Sequence, residues 1–266
     1  MIVTLLTDYG HNDEFAGVCR GVIARIAPDV GVVDITHGVP RHSVRDGALM
    51  LRHALPYFPT GVHVAVVDPQ VGTERRAVAL RCGDGNILVG PDNGVLSLAW
   101  EALGGAVEAV DVSRSPFRLE PVSATFHGRD MFAPVAARLA AGAALGNAGD
   151  PLAVEDLTRL ELPRAEVAGG AATGHVLTVD GFGNVALNLS HSELFELGIT
   201  IGNEVELATR LARASATFVR TFADVGPGEL LLYEDSWGVL ALAINRGSAA
   251  AKLGVEPDDE IRISKR

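Results

Sequence analysis

Three segments in the first half of the chain carry ionisable side chains that could orient a nucleophile or move a proton. Val66-Val67-Asp68-Pro69-Gln70-Val71-Gly72-Thr73-Glu74-Arg75-Arg76 places an acid at the end of an apolar run and two arginines just beyond a tight loop. A guanidinium folded back on Asp68 would keep the carboxylate ionised and oriented, able to position a water or a cation; the same spacing also suits an ordinary loop ion pair. Thr125-Phe126-His127-Gly128-Arg129-Asp130 sets a histidine in a glycine-containing loop ahead of a helix. Histidine exchanges protons near neutral pH, although a loop histidine also serves as a surface or packing residue, and spacing does not place it relative to Asp68. Thr7-Asp8-Tyr9-Gly10, with Asp13 a little further on, offers a carboxylate suited to accept two hydroxyl hydrogen bonds from a ribose, or else a turn and a helix cap.

Two segments of the second half, Val179-Asp180-Gly181-Phe182-Gly183-Asn184 and Glu234-Asp235-Ser236-Trp237-Gly238, read as hairpin turns. Their side chains also suit a ligand: Phe182 can stack on a flat base, Asn184 can pair with its edge, and Asp180 can hold an ammonium group. No Gly-x-Gly-x-x-Gly follows Ile2–Leu6, and no Gly-x-x-x-x-Gly-Lys-Ser/Thr occurs, so nothing requires a phosphate in the ligand.

The elements that must hold these residues alternate. Ile2–Leu6, Gly31–Ile35, Val62–Val67, Ala77–Leu80, Ile87–Val89 and Val107–Val110 read as buried strands, several of them parallel. Phe15, Val18, Cys19, Val22, Ile23 and Ile26 recur at helical spacing and stop at Pro28; a second helix is expected from Ser43 to Leu55, ahead of Pro56. Asp8, Asp34 and Asp68 each end a strand run, at the edge where open α/β sheets bind ligands. A helix is expected over Met131–Ala141, with Asp130 as its N-cap and Gly142 as its stop. Residues 142–172 read as a connector with a short helical turn near Val154–Leu160. Gly174–Val179, Val185–Leu189, Glu204–Leu207, Ser215–Phe222, Leu230–Tyr233, Val239–Ile244 and Glu260–Ser264 then predict a small antiparallel barrel or sandwich. The expected domains are 1–150 and 173–266, joined by 151–172.

With 266 residues, 48% of them hydrophobic and 21% charged, the chain can fill a real core. Its net charge of -11, divided between both halves, lacks the footprint of a protein that grips nucleic acid or an anionic membrane. Its two cysteines, Cys19 and Cys82, lie in apolar settings, which excludes a disulfide framework or Cys-x-x-Cys site and suits a reducing compartment. No apolar stretch of about 18 residues and no basic leader occur, so a cytoplasmic protein is expected.

Thr7-Asp8-Tyr9-Gly10, Val67-Asp68-Pro69 with Gly72-Thr73 and Arg75, Pro91-Asp92-Asn93-Gly94, Thr125-Phe126-His127-Gly128-Arg129-Asp130, Phe182-Gly183-Asn184 and Asn245-Arg246-Gly247-Ser248-Ala249 together span nearly the whole chain. Their order and spacing resemble the S-adenosyl-L-methionine hydrolase (hydroxide adenosyltransferase) family, relatives of the fluorinase and chlorinase. The resemblance implies an N-terminal Rossmann-like α/β sandwich, a smaller C-terminal β-barrel-like domain, and a homotrimer with active sites between neighbouring subunits. It implies no metal and no cofactor, S-adenosyl-L-methionine being the substrate. A water-derived oxygen would displace methionine from C5′, giving adenosine and L-methionine. The catalytic set would be Asp68, Arg75 and His127. Asp8 would hold the ribose diol, Phe182 and Asn184 would meet the adenine, and Asp180, Ser236 and Trp237 would lie at the amino-acid end. Gln70 stands where glycine is common after Asp-Pro, Trp237 stands where the halogenating relatives have arginine, and one residue separates Asp180 from Phe182 where those relatives have two. The rival readings are a halide-using adenosyltransferase and a non-catalytic module that binds adenosine or the sulfonium.

Overall fold

The computed structural model describes residues 1–266, and its chain divides into two compact units, Met1–Leu160 and Glu161–Arg266. In the first, strands β1 (Ile2–Thr7), β2 (Gly31–Thr36), β3 (Val62–Val66), β4 (Ala77–Cys82), β5 (Ile87–Pro91), β6 (Ala106–Asp111) and β7 (Asp150–Leu152) build one sheet. Its order is β2-β1-β3-β5-β4-β6-β7. The first four of these run parallel, and β4, β6 and β7 are antiparallel to their neighbours.

Strand alternation sends Val3 and Leu5 to one face, where they meet Cys19 and Ile23 of helix α1 (Phe15–Ile26), and sends Leu6 to the other, where it meets Leu51 of α2 (Val44–Ala54). The helix α3 (Ser97–Ala102) joins α2, and α4 (Ala133–Ala140) joins α1, so the sheet is covered on both faces. Helix α1 lies where its spacing predicts and gives way at Ala27, one residue before Pro28. Ser43 caps α2 by accepting the Asp46 amide. At six residues, α3 is too short to show helical periodicity and is not foreseen.

The structure departs from the sequence expectations at several places. Asp130 does not cap α4: it lies inside a π-turn over Gly128–Phe132, and its buried carboxylate instead accepts the Ser123 amide and two bonds from Arg129. The stretch 142–172 has the expected helical turn, a 3-10 turn at Val154–Asp156, but also three strand segments that are not foreseen: β7, β8 (Glu166–Ala168) and the start of β9. Strands of three residues are too short to display alternation.

The second unit is a closed barrel of β9 (Ala171–Val179), β10 (Val185–Leu187), β11 (Glu204–Ala208), β12 (Arg213–Phe218), β13 (Leu230–Glu234), β14 (Leu240–Ile244) and β15 (Glu260–Lys265). The order β10-β14-β13-β12-β11-β15-β9 closes through β9 against β10, and β8 adds to the outer side of β9. The barrel is not wholly antiparallel: β12 and β13 run parallel. The chain between them makes a crossover through a 3-10 turn at Phe222–Asp224 instead of a hairpin. Phe218, Leu232, Leu242, Ile261 and Ile263 fill the core. Two short helices, α5 (His191–Glu196) and α6 (Ala249–Leu253), are capped by Ser190 and Ser248. No helix is long and apolar enough to cross a membrane.

Candidate active site

The first unit gathers its chemistry at the carboxyl ends of β1 and β3. Asp68 follows β3 by two residues, and its loop returns through turns at Val71 and Thr73 to bring Arg75 back onto it. Gly72 (φ +81°) is needed there, because a Cβ would stand 2.6 Å from the Ala124 carbonyl oxygen. Arg75 Nε donates to Asp68 Oδ1 (2.9 Å) and Oδ2 (3.0 Å), Nη2 also reaches Oδ2, and both side chains are only 5% exposed. The guanidinium also lies over the Phe132 ring, 5.4 Å from its centroid.

Arg75 Nη2 is 2.8 Å from His127 Nδ1. A guanidinium can only donate, so Nδ1 is the acceptor and the neutral imidazole carries its proton on Nε2. Burial and the Arg75 charge hold the His127 pKa below the ordinary histidine value. The ring is placed by the π-turn that begins just after it, and by the Asp130 bond to Ser123 that pins the preceding loop. Gly128 allows Tyr9 close by, since a Cβ there would collide with the Tyr9 hydroxyl. Tyr9 in turn packs edge-on to Phe126 and beside Phe15.

Asp8, Tyr9, His42, Val66, Asp68, Val71, Thr125, His127 and Gly128 surround one cavity of about 110 Å³. Asp8 is held by the amide of His42, a residue in the left-handed region (φ 64°). Asp8, Asp68, Arg75 and His127 are thus brought together. Tyr9 and His42 were missed as lining residues, and the left-handed turn at His42 leaves no signal in the residue types.

In the second unit Phe182, Asn184, Phe222, Ile244, Asn245, Arg246 and Gly247 surround a cavity of about 490 Å³. Asp180 organises its rim as an acceptor: it takes the amides of Phe182 and Asn184 and one side-chain N–H of Asn184. Phe182 is 83% exposed and Phe222 40% exposed, so two aromatic side chains are available to a flat apolar ligand. Ser236 and Trp237 are exposed in the β13–β14 turn and do not line this cavity. Val185 pairs with Leu242, which sets Asn184 toward the far end of β14 from that turn. Phe222 was not foreseen; the Thr221–Asp224 capping box around it is its one sequence signal. No group of three or more His, Cys, Asp or Glu side chains is placed to hold a metal ion.

A parallel-edged α/β unit with a buried Asp–Arg–His chain, followed by a closed barrel with an aromatic-lined cavity, defines a two-unit enzyme class. The chain belongs to the SAM hydroxide adenosyltransferase family: the N-terminal domain model matches residues 3–149 and the C-terminal domain model residues 174–262. It is 50% identical to the (R)-S-adenosyl-L-methionine hydrolase of Salinispora tropica, over 98% of this chain and 97% of that one. A fluorinase of an Actinoplanes species is more distant, at 31% identity over 99% and 97% of the two chains. The crystal structure of an uncharacterized conserved protein from Thermotoga maritima superposes with a TM-score of 0.91 at 36% identity, covering 99% of this chain and all of that one.

Proposed function

We infer that this protein hydrolyses S-adenosyl-L-methionine at C5′ to adenosine and L-methionine. The observation that carries the reading is the continuous Asp68–Arg75–His127 chain opening on one cavity with Asp8. The 50% identity to a named (R)-S-adenosyl-L-methionine hydrolase supports it, and favours the (R) sulfonium. A new C5′–O bond forms from water, the C5′–S bond breaks with its electron pair going to sulfur, and one proton is released. The sulfonium is already a good leaving group, so alignment of the water is the main requirement, and orientation of this kind supplies about 7–11 kcal/mol.

Within this reading Asp68 takes the proton. The Nδ1 lone pair of His127 is occupied by Arg75, which leaves the ring an N–H donor at Nε2 able to orient the water, while Arg75 holds the Asp68 carboxylate in place. Asp8 holds the ribose diol, Phe182 and Asn184 hold the adenine, and Asp180, Ser236 and Trp237 serve the amino-acid end. In domain terms, 1–150 supplies the catalytic set and 173–266 the adenine and methionine contacts. A homotrimer with sites formed between subunits belongs to the same reading and rests on the resemblance to the family. The enzyme works without metal or cofactor, in the cytoplasm, on a small molecule and not on nucleic acid or membrane.

Incubation with S-adenosyl-L-methionine in ¹⁸O-labelled water, with chelator present, tests this. Labelled adenosine plus methionine, lost in His127→Ala, is expected. 5′-Chloro-5′-deoxyadenosine formed on adding chloride would instead indicate a halide transferase, and adenosine retained without turnover a binding module. Mass measurement in solution tests the trimer.

A further inference from the structure

One buried polar chain beside the cavity plays no part in the proton transfer assigned to Asp68, Arg75 and His127. Tyr9 donates its amide to Thr7 Oγ1 (3.2 Å), and Thr7 Oγ1 is 2.8 Å from His37 Nδ1. His37 Nε2 lies 3.2 Å from Asp34 Oδ1; both atoms are buried and neither makes a hydrogen bond. Arg20 of α1 closes the chain on Asp34 Oδ2. Thr7 Oγ1 accepts the Tyr9 amide and can give its own hydrogen to His37 Nδ1, so one hydroxyl joins the Tyr9 amide to the His37 ring. The main chain joins in, since Gly10 donates its amide to the His37 carbonyl at 2.7 Å.

The arrangement has the composition of a Thr–His–Asp nucleophile triad, but Thr7 is 2% exposed and its oxygen already holds the Tyr9 amide, so it is closed to substrate. Its importance lies instead in its chain neighbours. Thr7 ends β1, and the next two residues are Asp8 and Tyr9, both of which line the cavity.

We propose that His37 is a positioning residue for substrate binding: through Thr7 it fixes the Asp8–Tyr9 turn in the conformation that receives the ribose. The proposal rests on the reading of Asp8 as the diol acceptor. A ribose contact made equally in ground and transition states acts on KM and leaves kcat alone, whereas a residue that merely supports the fold lowers the active fraction and hence kcat.

The test uses the full-length protein with Thr7→Val, which keeps the shape and removes the hydroxyl, Thr7→Ser, which restores it, and His37→Leu. Expected in Thr7→Val and His37→Leu are a rise of about tenfold in KM for S-adenosyl-L-methionine and a matching loss of adenosine affinity by calorimetry, with kcat within about threefold of wild type. Thr7→Ser is expected to stay within about twofold of wild type on both measures. A fall in kcat at constant KM, unchanged adenosine affinity in Thr7→Val, or failure of Thr7→Ser to restore affinity each overturns the proposal. If His37→Leu does not fold, the two Thr7 variants decide alone. Wild-type protein that neither turns over substrate nor binds adenosine overturns the parent reading and this one with it, whereas active wild type with unaltered variants overturns only this one.

Discussion

Arg75 Nη2 stands 2.8 Å from His127 Nδ1 while the same guanidinium grips the Asp68 carboxylate with Nε, so one side chain sets both the orientation of the carboxylate and the tautomer of the imidazole. Fork geometry makes this possible, and a lysine ammonium cannot reproduce it. Arg75→Lys is therefore expected to lower kcat, per folded molecule, by about a hundredfold or more, as are Asp68→Asn and His127→Ala. Asp68→Asn is expected also to lower the melting temperature, because it leaves the Arg75 charge buried without its partner. Steady-state turnover beside a thermal melt checks this; wild-type kcat in all three variants would remove the chain from the mechanism.

The pKa of His127 is depressed by burial and by the Arg75 charge, so the ring remains neutral below the pH at which an ordinary histidine charges. Protonation at Nδ1 would point two N–H donors at one another. Activity is expected to persist below about pH 6.5 in the wild type. In Arg75→Gln, which loses the opposing charge, the acid limb of whatever activity remains should move upward. Profiles of kcat/KM against pH read this directly, and a limb that stays or moves down contradicts it.

His63 is wholly buried between the Thr4 hydroxyl (2.9 Å) and the Asn86 amide oxygen (2.9 Å), and burial lowers its pKa. The unfolded chain binds a proton near pH 6.5 that the folded chain refuses, so the His63 contribution is fully present above that pH. It is lost as the pH falls toward the folded-state value, at about 1.4 kcal/mol per pH unit. Urea unfolding between pH 7.5 and 5 should show this slope, reduced in His63→Gln. An identical slope in both proteins would assign it elsewhere.

A methyl group at Gly128 would collide with the Tyr9 hydroxyl but meet the Tyr9 ring carbon Cζ only at 3.1 Å. Gly128→Ala is expected to destabilise by about 1–3 kcal/mol, and adding Tyr9→Phe should recover most of it. A double variant no more stable than Gly128→Ala would show that the clash lies elsewhere.

Phe182 is mostly exposed, so Phe182→Ala should leave the melting temperature nearly unchanged. If it stacks on the adenine, KM should rise about tenfold, in keeping with stacking worth about 1–3 kcal/mol per base. Unaltered KM would take Phe182 out of the binding site.

Much of this architecture is legible in residue order. Helix α1 and strands β1, β3 and β5 lie where periodicity and proline place them, because local spacing decides which face a residue turns inward. The Asp130 cap was misread because a carboxylate ahead of an apolar run looks the same whether it serves the helix or reaches back to Ser123. The parallel β12–β13 pair was misread because strand direction depends on the path of the connection and not on the composition of the strands.

For the site the division follows distance along the chain. The acid at a strand end, the arginine a tight loop away and the histidine ahead of a helix are read from residue type and spacing, since each depends on its own few neighbours. That Arg75 joins Asp68 to His127 across 52 residues, that His37 reaches Thr7 across 30, and that Gly128 makes room for Tyr9 are decisions of the tertiary structure alone. Hydrogen bonds and close contacts need angles and separations of tenths of an ångström, and only the packed sheet and its covering helices hold distant segments to that tolerance.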